Sequence, residues 1–214
     1  MILPTSKIFV FDLDDTLYSE RDFEKSGIEF VYNYLEIRNQ NLEFFLKNRS
    51  NWIELIIENT TQKISIDFLL NLYRNHFPTI NLYHDAKVFL DELVSRKIEF
   101  SLITDGRSIT QRNKLKALAI ESIFKKIIIS EEIQSEKPSE VNFCMVVDQK
   151  NHSNFVYIAD NLKKDFYSPN KLGWTTICLL DRGQNIHKQN FDIETDFLPQ
   201  FSITTFEEIK LINE

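Results

Sequence analysis

Four places in the chain put polar, mostly acidic side chains just after an apolar run. Phe11 is followed by Asp12-Leu13-Asp14-Asp15-Thr16, and Ile103 by Thr104-Asp105-Gly106-Arg107. The apolar run 127–129 is followed, a few residues on, by Glu136-Lys137-Pro138, and Ala159 by Asp160-Asn161 with Asp165 shortly beyond. Carboxylates gathered in one place are the oxygen ligands that Mg²⁺ prefers, and a hydroxyl and a lysine add donors for an anion. Each motif alone has a plainer use. Aspartates after a strand make turns or cap helices, and a lysine before a helix-opening proline commonly faces water. The conjunction, in this order and each at the end of an apolar run, is what asks for a common purpose. A calcium loop of the EF-hand kind starting at Asp12 is excluded, because Leu17 stands where it needs glycine and Phe23 where it needs glutamate.

The elements that must position these residues are set by hydrophobic periodicity. Near-continuous apolar runs at 8–11, 98–103, 127–129, 155–159 and 175–180 read as buried parallel strands. Helical patterning fills 85–96, 108–119, 138–149 and 162–171 between them. This alternation predicts a doubly wound, mostly parallel α/β sheet, in which ligands bind beyond the carboxyl ends of the strands. A closing helix is predicted over 204–213, with a capping box from Thr204 to Glu207. Residues 18–84 break the alternation, since their apolar positions recur only at three- and four-residue steps. That stretch predicts an all-helical insert over the sheet, dividing the chain into a core of 1–17 plus 85–214 and a helical domain of 18–84.

Composition narrows the function classes. The 214 residues are 43% hydrophobic and 27% charged, which suits a globule with a sizeable core. The formal net charge of −7 argues against a nucleic-acid partner. An anionic substrate must therefore be met by a local device, a metal or a few placed cations. With four glycines, Gly27, Gly106, Gly173 and Gly183, neither a dinucleotide fingerprint nor a P-loop can be assembled. The two cysteines, Cys144 and Cys178, sit in apolar surroundings and read as buried thiols of a reducing compartment. The four histidines lack metal-ligand spacing. Neither a signal peptide nor an apolar run long enough to cross a bilayer is present, so a cytoplasmic location with no membrane partner is expected.

Together the motifs resemble the haloacid dehalogenase superfamily, most closely its phosphatase members with a helical cap of the C1 type. The resemblance rests on Phe11-Asp12-Leu13-Asp14-Asp15-Thr16-Leu17, Leu102-Ile103-Thr104-Asp105-Gly106, Lys137 of Glu136-Lys137-Pro138, and Tyr157-Ile158-Ala159-Asp160 with Asp165. It implies a Mg²⁺ ion held by Asp12, Asp160 and the backbone carbonyl of Asp14. Asp165 completes the acidic pair and orients a metal-bound water or the lysine. It implies Asp12 as nucleophile, forming an aspartyl-phosphate, and Asp14 as general acid and base. Thr104 and the amides of the Asp105-Gly106 turn would bind the phosphoryl group, and Lys137 would neutralise charge on both phosphate and Asp12. The need for a cation is plain. A dianionic ester about 4 Å from a carboxylate, at an effective dielectric near 20, is repelled by roughly 8 kcal/mol.

The presence of Asp14 favours phosphate esters over organohalides, since a halide leaves without a proton. The capped form implies a small phosphorylated metabolite. The stretch Gln111-Arg112-Asn113-Lys114 after the second motif resembles relatives acting on nucleotides or sugar phosphates, and Tyr18 and Arg21 are candidates to face the substrate. Two other readings stay open: a phosphosugar mutase on the same fold, and a non-enzymatic phospho-acceptor of the receiver kind. The chain departs from the family pattern at Ala159, where glycine usually precedes the aspartate, and at 117–120, where a helix-ending glycine is often found.

Overall fold

The computed structural model describes residues 1–147 and 154–213. Six parallel strands form the main sheet: β2 (Ile8–Phe11), β3 (Phe100–Thr104), β4 (Ile127–Ile129), β5 (Phe155–Ala159), β6 (Thr175–Leu179) and β7 (Phe201–Ile203). Their spatial order is β4-β3-β2-β5-β6-β7. The chain thus builds outward from β2 to one side, then returns to start β5 on the other. The crevice between β2 and β5 is the point where the strand order reverses, the place where such sheets take ligands. Both central neighbours of β2 are buried over their whole length, consistent with helices on both faces.

Helices α5 (His84–Ser95) and α6 (Ser108–Ala117) match the predicted ranges closely, with the short α7 (Ser130–Ile133) after β4. On one face of the sheet, Phe9, Phe11, Phe89, Phe100 and Phe206 share a ring cluster, with centroids 5.5–6.3 Å apart. On the other, Trp174 stacks on Phe155 and meets Phe143 edge-on. Between β2 and α5 lie only α1 (Glu20–Tyr34), α2 (Leu42–Lys47), α3 (Trp52–Asn59) and α4 (Ile66–Asn75), apart from turns. They bury a cluster of their own around Ile28, Val31, Phe45, Trp52, Ile56 and Leu69. Among the described residues no helix is long and apolar enough to cross a membrane.

Several local expectations are corrected. The closing helix over 204–213 does not form. Instead β7 adds the sixth strand, a single turn spans Phe206–Glu208, and β8 (Lys210–Ile212) pairs in parallel with β1 (Ile2–Pro4). Burial there alternates, with Ile209 and Leu211 inward and Lys210 and Ile212 outward, which is the period of a strand. The capping box exists one residue later, between Thr205 and Glu208. The helix predicted over 162–171 is confined to α9 (Tyr167–Lys171). Pro169 has no N–H and must sit in a first turn, and Asn161 N–H is held by the Asp165 carboxylate at 2.9 Å in the turns before it. The helix predicted over 138–149 is α8 (Glu140–Cys144), with Asp148 and Gln149 outside the described residues. Cys178 is buried as expected, but Cys144 is exposed, because α8 turns its neighbours Asn142 and Phe143 inward instead.

Candidate active site

Strand tips β2, β3 and β5 open onto one cleft of about 290 Å³. Asp12, Asp14, Asp105, Gly106, Lys137, Asp160 and Asp165 all line it, joined by Asp15, Glu20 and His187. Thr104 is fully buried and stands behind that wall. Tyr18 is also fully buried, turned onto Asp14, and neither it nor Arg21 lines the cleft.

The carboxylates of Asp12, Asp160 and Asp165 converge, with one oxygen from each lying within 4.8 Å of the others. All three are buried, at 5%, 3% and 0% exposure. The β2–β5 register makes this possible. Phe11 pairs with Ile158, Asp12 N–H continues the ladder to Ile158 O at 3.0 Å, and Asp160 leaves β5 beside it. Lys137 supplies the cation, its Nζ 2.5 Å from Asp12 Oδ1 and 2.6 Å from Asp165 Oδ1. Tyr157 donates to Asp165 Oδ1 at 2.9 Å and lies 3.3 Å from the same ammonium. Burial works against the charged form of Lys137, but Asp12 and Asp165 more than offset it and hold its pKa well above the ordinary lysine value. Asp165 thus lies in direct contact with the lysine ammonium.

Among the described residues three carboxylates face one ammonium, so full ionisation would leave two negative charges uncompensated in a buried site, an expensive arrangement. Burial, with the repulsion of Asp165 and Asp14, outweighs the attraction of Lys137 and brings the Asp12 pKa up to about 7. Burial and then Asp12 raise that of Asp160 as well. This surplus of hard oxygen ligands fits a divalent cation. Among the described residues Asp12 Oδ2 has only the Thr16 hydroxyl, at 3.5 Å, and Asp160 Oδ2 takes one bond, from Asn185 Nδ2 at 2.8 Å.

Asp14 stands apart from that cluster. Its Oδ1 accepts from Lys114 Nζ at 2.7 Å and from the Tyr18 hydroxyl, and its Oδ2 accepts from Gln111 Nε2 at 2.9 Å. Burial alone would raise its pKa, but the Lys114 charge and these hydrogen bonds prevail and lower it. Glu20, facing the same charge, is pushed by burial and by Asp14 up to about 8. The Asp105 carboxylate braces neighbouring elements, accepting from Lys137 N at 3.1 Å and Lys164 Nζ at 3.0 Å. The Gly106 amide, expected to face phosphate, donates instead to Ser130 Oγ at 2.9 Å. Gly106 has φ +143°, which a side chain rarely adopts.

Sequence reasoning did not single out Tyr157, Asn185, Glu20 or Asp15, nor give roles to Gln111 and Lys114. The last two were detectable. Positions 111, 114 and 115 are one buried face of α6, continued by 118 just past its end, and a glutamine and a lysine there need partners. Asn185 could not be found, since it arrives from the irregular stretch after β6.

A sequence profile of the haloacid dehalogenase-like hydrolases matches residues 9–179. The chain is 27% identical to a glyceraldehyde 3-phosphate phosphatase of Methanocaldococcus jannaschii over 95% of each sequence. It is 26% identical to the enzyme of that name from Methanopyrus kandleri, covering 89% of this chain and 91% of that one. Its fold is similar to the crystal structure of the HAD-hydrolase YfnB from Bacillus subtilis bound to magnesium, with a TM-score of 0.70 and 18% identity over 94% and 96% of the two chains. With the profile spanning β2 to β6, the chain belongs to the haloacid dehalogenase-like hydrolases.

Proposed function

We propose that this protein is a Mg²⁺-dependent phosphatase that hydrolyses small phosphate monoesters through an aspartyl-phosphate on Asp12. The observation that carries the proposal is the buried trio Asp12, Asp160 and Asp165 with Lys137 as its one partner cation among the described residues. A divalent ion held by Asp12, Asp160 and the Asp14 carbonyl, when bound, would neutralise the surplus charge and admit a dianionic ester. Asp12 Oδ then attacks phosphorus, while the bond to the ester oxygen breaks and leaves its electron pair there. Asp14, having first taken up a proton from solvent at its Lys114-paired carboxylate, passes it to that oxygen, so a neutral alcohol departs. In the second half, water attacks the same phosphorus, Asp14 takes its proton, the Asp12 carboxylate is regenerated and inorganic phosphate is released. Lys137 holds charge on both Asp12 and the phosphoryl oxygens, and the Thr104 hydroxyl, now behind the cleft wall, would donate a hydrogen bond to a phosphoryl oxygen that reaches it. With the Gly106 amide engaged by Ser130, that half of the Asp105-Gly106 turn contributes shape more than a hydrogen bond.

The substrate we infer is a phosphorylated metabolite of triose to hexose size. The cleft of about 290 Å³ is at the bottom of the range for small-molecule sites, which suits such an ester better than a nucleotide. The full-length similarity to two phosphatases named for glyceraldehyde 3-phosphate supports the same class. Residues 18–84, with their own core, serve as the cap, and 1–17 plus 85–214 as the catalytic domain.

Phosphate release from para-nitrophenyl phosphate and a panel of triose, pentose and hexose phosphates, with Mg²⁺ and with EDTA, tests the reading. Turnover is expected with the ion alone, and Asp12→Asn should abolish it. Unimpaired turnover in that variant would sink the mechanism. Accumulation of an isomerised sugar phosphate without free phosphate would make the protein a mutase.

A further inference from the structure

Lys114 is a lysine with only 4% of its surface exposed, on the inward face of α6. Its ammonium lies 2.7 Å from Asp14 Oδ1, 4.4 Å from the centre of the Phe23 ring and 5.9 Å from that of Tyr18. A buried ion pair is a poor source of stability compared with apolar packing, so its presence asks for another reason. One turn earlier on the same face, Gln111 is 1% exposed. Its Nε2 group lies 2.5 Å from Thr104 Oγ1, 2.9 Å from Asp14 Oδ2 and 3.1 Å from Asp105 O. Both oxygens of Asp14 are therefore tied to α6 or to Tyr18.

The amide has little freedom in its slot. A methyl group built on Gly106 would meet Gln111 Cδ at 3.1 Å. Because Gln111 donates to the Thr104 oxygen, the hydroxyl proton of Thr104 must point elsewhere. The helix is itself anchored on the end of α4. Thr110 Oγ1 donates to Arg74 O at 2.9 Å, and Asn113 Nδ2 to Asn75 O at 3.1 Å and His76 O at 3.2 Å.

We propose that Lys114 and Gln111 are positioning residues, which together fix the Asp14 carboxylate and the Thr104 hydroxyl in one frame before substrate arrives. This rests on the assignment of Asp14 as the group that protonates the leaving oxygen. The gain is orientation, since a proton donor misplaced by an ångström loses much of its effect. Lys114 touches no reacting atom and acts through Asp14.

The test is the dependence of kcat/KM on the leaving group, because that constant reports formation of the aspartyl-phosphate. Lys114→Met, Lys114→Arg and Gln111→Leu would be assayed with Mg²⁺ on glycerol phosphate, phenyl phosphate, para-nitrophenyl phosphate and 2,4-dinitrophenyl phosphate. An alkoxide needs the proton and dinitrophenolate does not. Lys114→Met should lose about 10- to 100-fold on glycerol phosphate, narrowing to less than about fivefold on the dinitrophenyl ester. Lys114→Arg should recover part of the loss, and Gln111→Leu should show the same trend more weakly. The dinitrophenyl ester also reports whether each variant is folded. An equal loss across all four esters, or none on glycerol phosphate, overturns the proposal. Wild-type protein that hydrolyses none of them would overturn the phosphatase reading itself, and the proposal with it.

Discussion

At the scale of single residues, the site is defined by a charge imbalance. Asp12, Asp160 and Asp165 are all buried beside what is, among the described residues, a single ammonium, that of Lys137. Without a bound cation this should cost stability, so a carboxylate whose removal impairs the site should relieve the fold. Asp160→Asn keeps an oxygen for the Asn185 amide and removes one negative charge. We expect the metal-free variant to be more stable than metal-free wild type by about 1–2 kcal/mol. The rise in Tm that millimolar Mg²⁺ should produce in wild type should be largely lost. Thermal unfolding of both proteins with EDTA and with Mg²⁺ checks this. A variant less stable than wild type in EDTA would show that the trio is already balanced without an ion.

At the scale of elements, two small residues illustrate opposite demands. α6 ends in a turn that puts Ala119 at φ +56°, exposed and in the left-handed region. An L side chain there costs roughly 1–2 kcal/mol, so Ala119→Gly should stabilise by about 0.5–1 kcal/mol, read as a higher urea midpoint at unchanged slope. In α1, Gly27 lets α4 approach closely, for an added methyl would lie 2.4 Å from two Tyr73 ring carbons. Gly27→Ala should therefore destabilise by about 1–3 kcal/mol. Equal effects of the two changes would mean that neither the helix end nor the α1–α4 contact limits stability.

At the scale of the whole molecule, Asp85 joins segments far apart in the chain. From the first turn of α5 it accepts a forked pair from Arg182, at 2.9 and 2.6 Å, and further bonds at 2.8 Å from Thr205 Oγ1 and Phe206 N. Burial would raise its pKa, but these donors, Arg182 foremost, bring it down to about 2. A folded-state pKa below the unfolded value means fewer bound protons in the native state, so the contribution is complete above about pH 4. It fades as pH falls toward 2. Asp85→Asn should cost about 1.5–3 kcal/mol at neutral pH. The gap between the variant and wild type, measured by urea unfolding, should close between pH 4 and pH 2. Parallel stability curves over that range would refute the assignment.

Much of this protein was determined by its sequence alone. Apolar runs at 8–11, 127–129 and 155–159 read as buried strands, and a buried parallel sheet delivers the residues beyond its strand ends to one edge. Asp12, Asp105, Lys137 and Asp160 were placed in a common site for that reason. What tertiary structure alone decided is where partners come from across the chain. The stretch after residue 200 became strands because β6 and β1 offered edges to it, which its local helix-like spacing could not reveal. Likewise, Asp14 is held by Lys114, 100 positions away, and Asp160 by Asn185 from an irregular stretch after β6. A hydrogen bond depends on distance in space, and spacing along the chain carries that information only where a regular helix or strand converts one into the other.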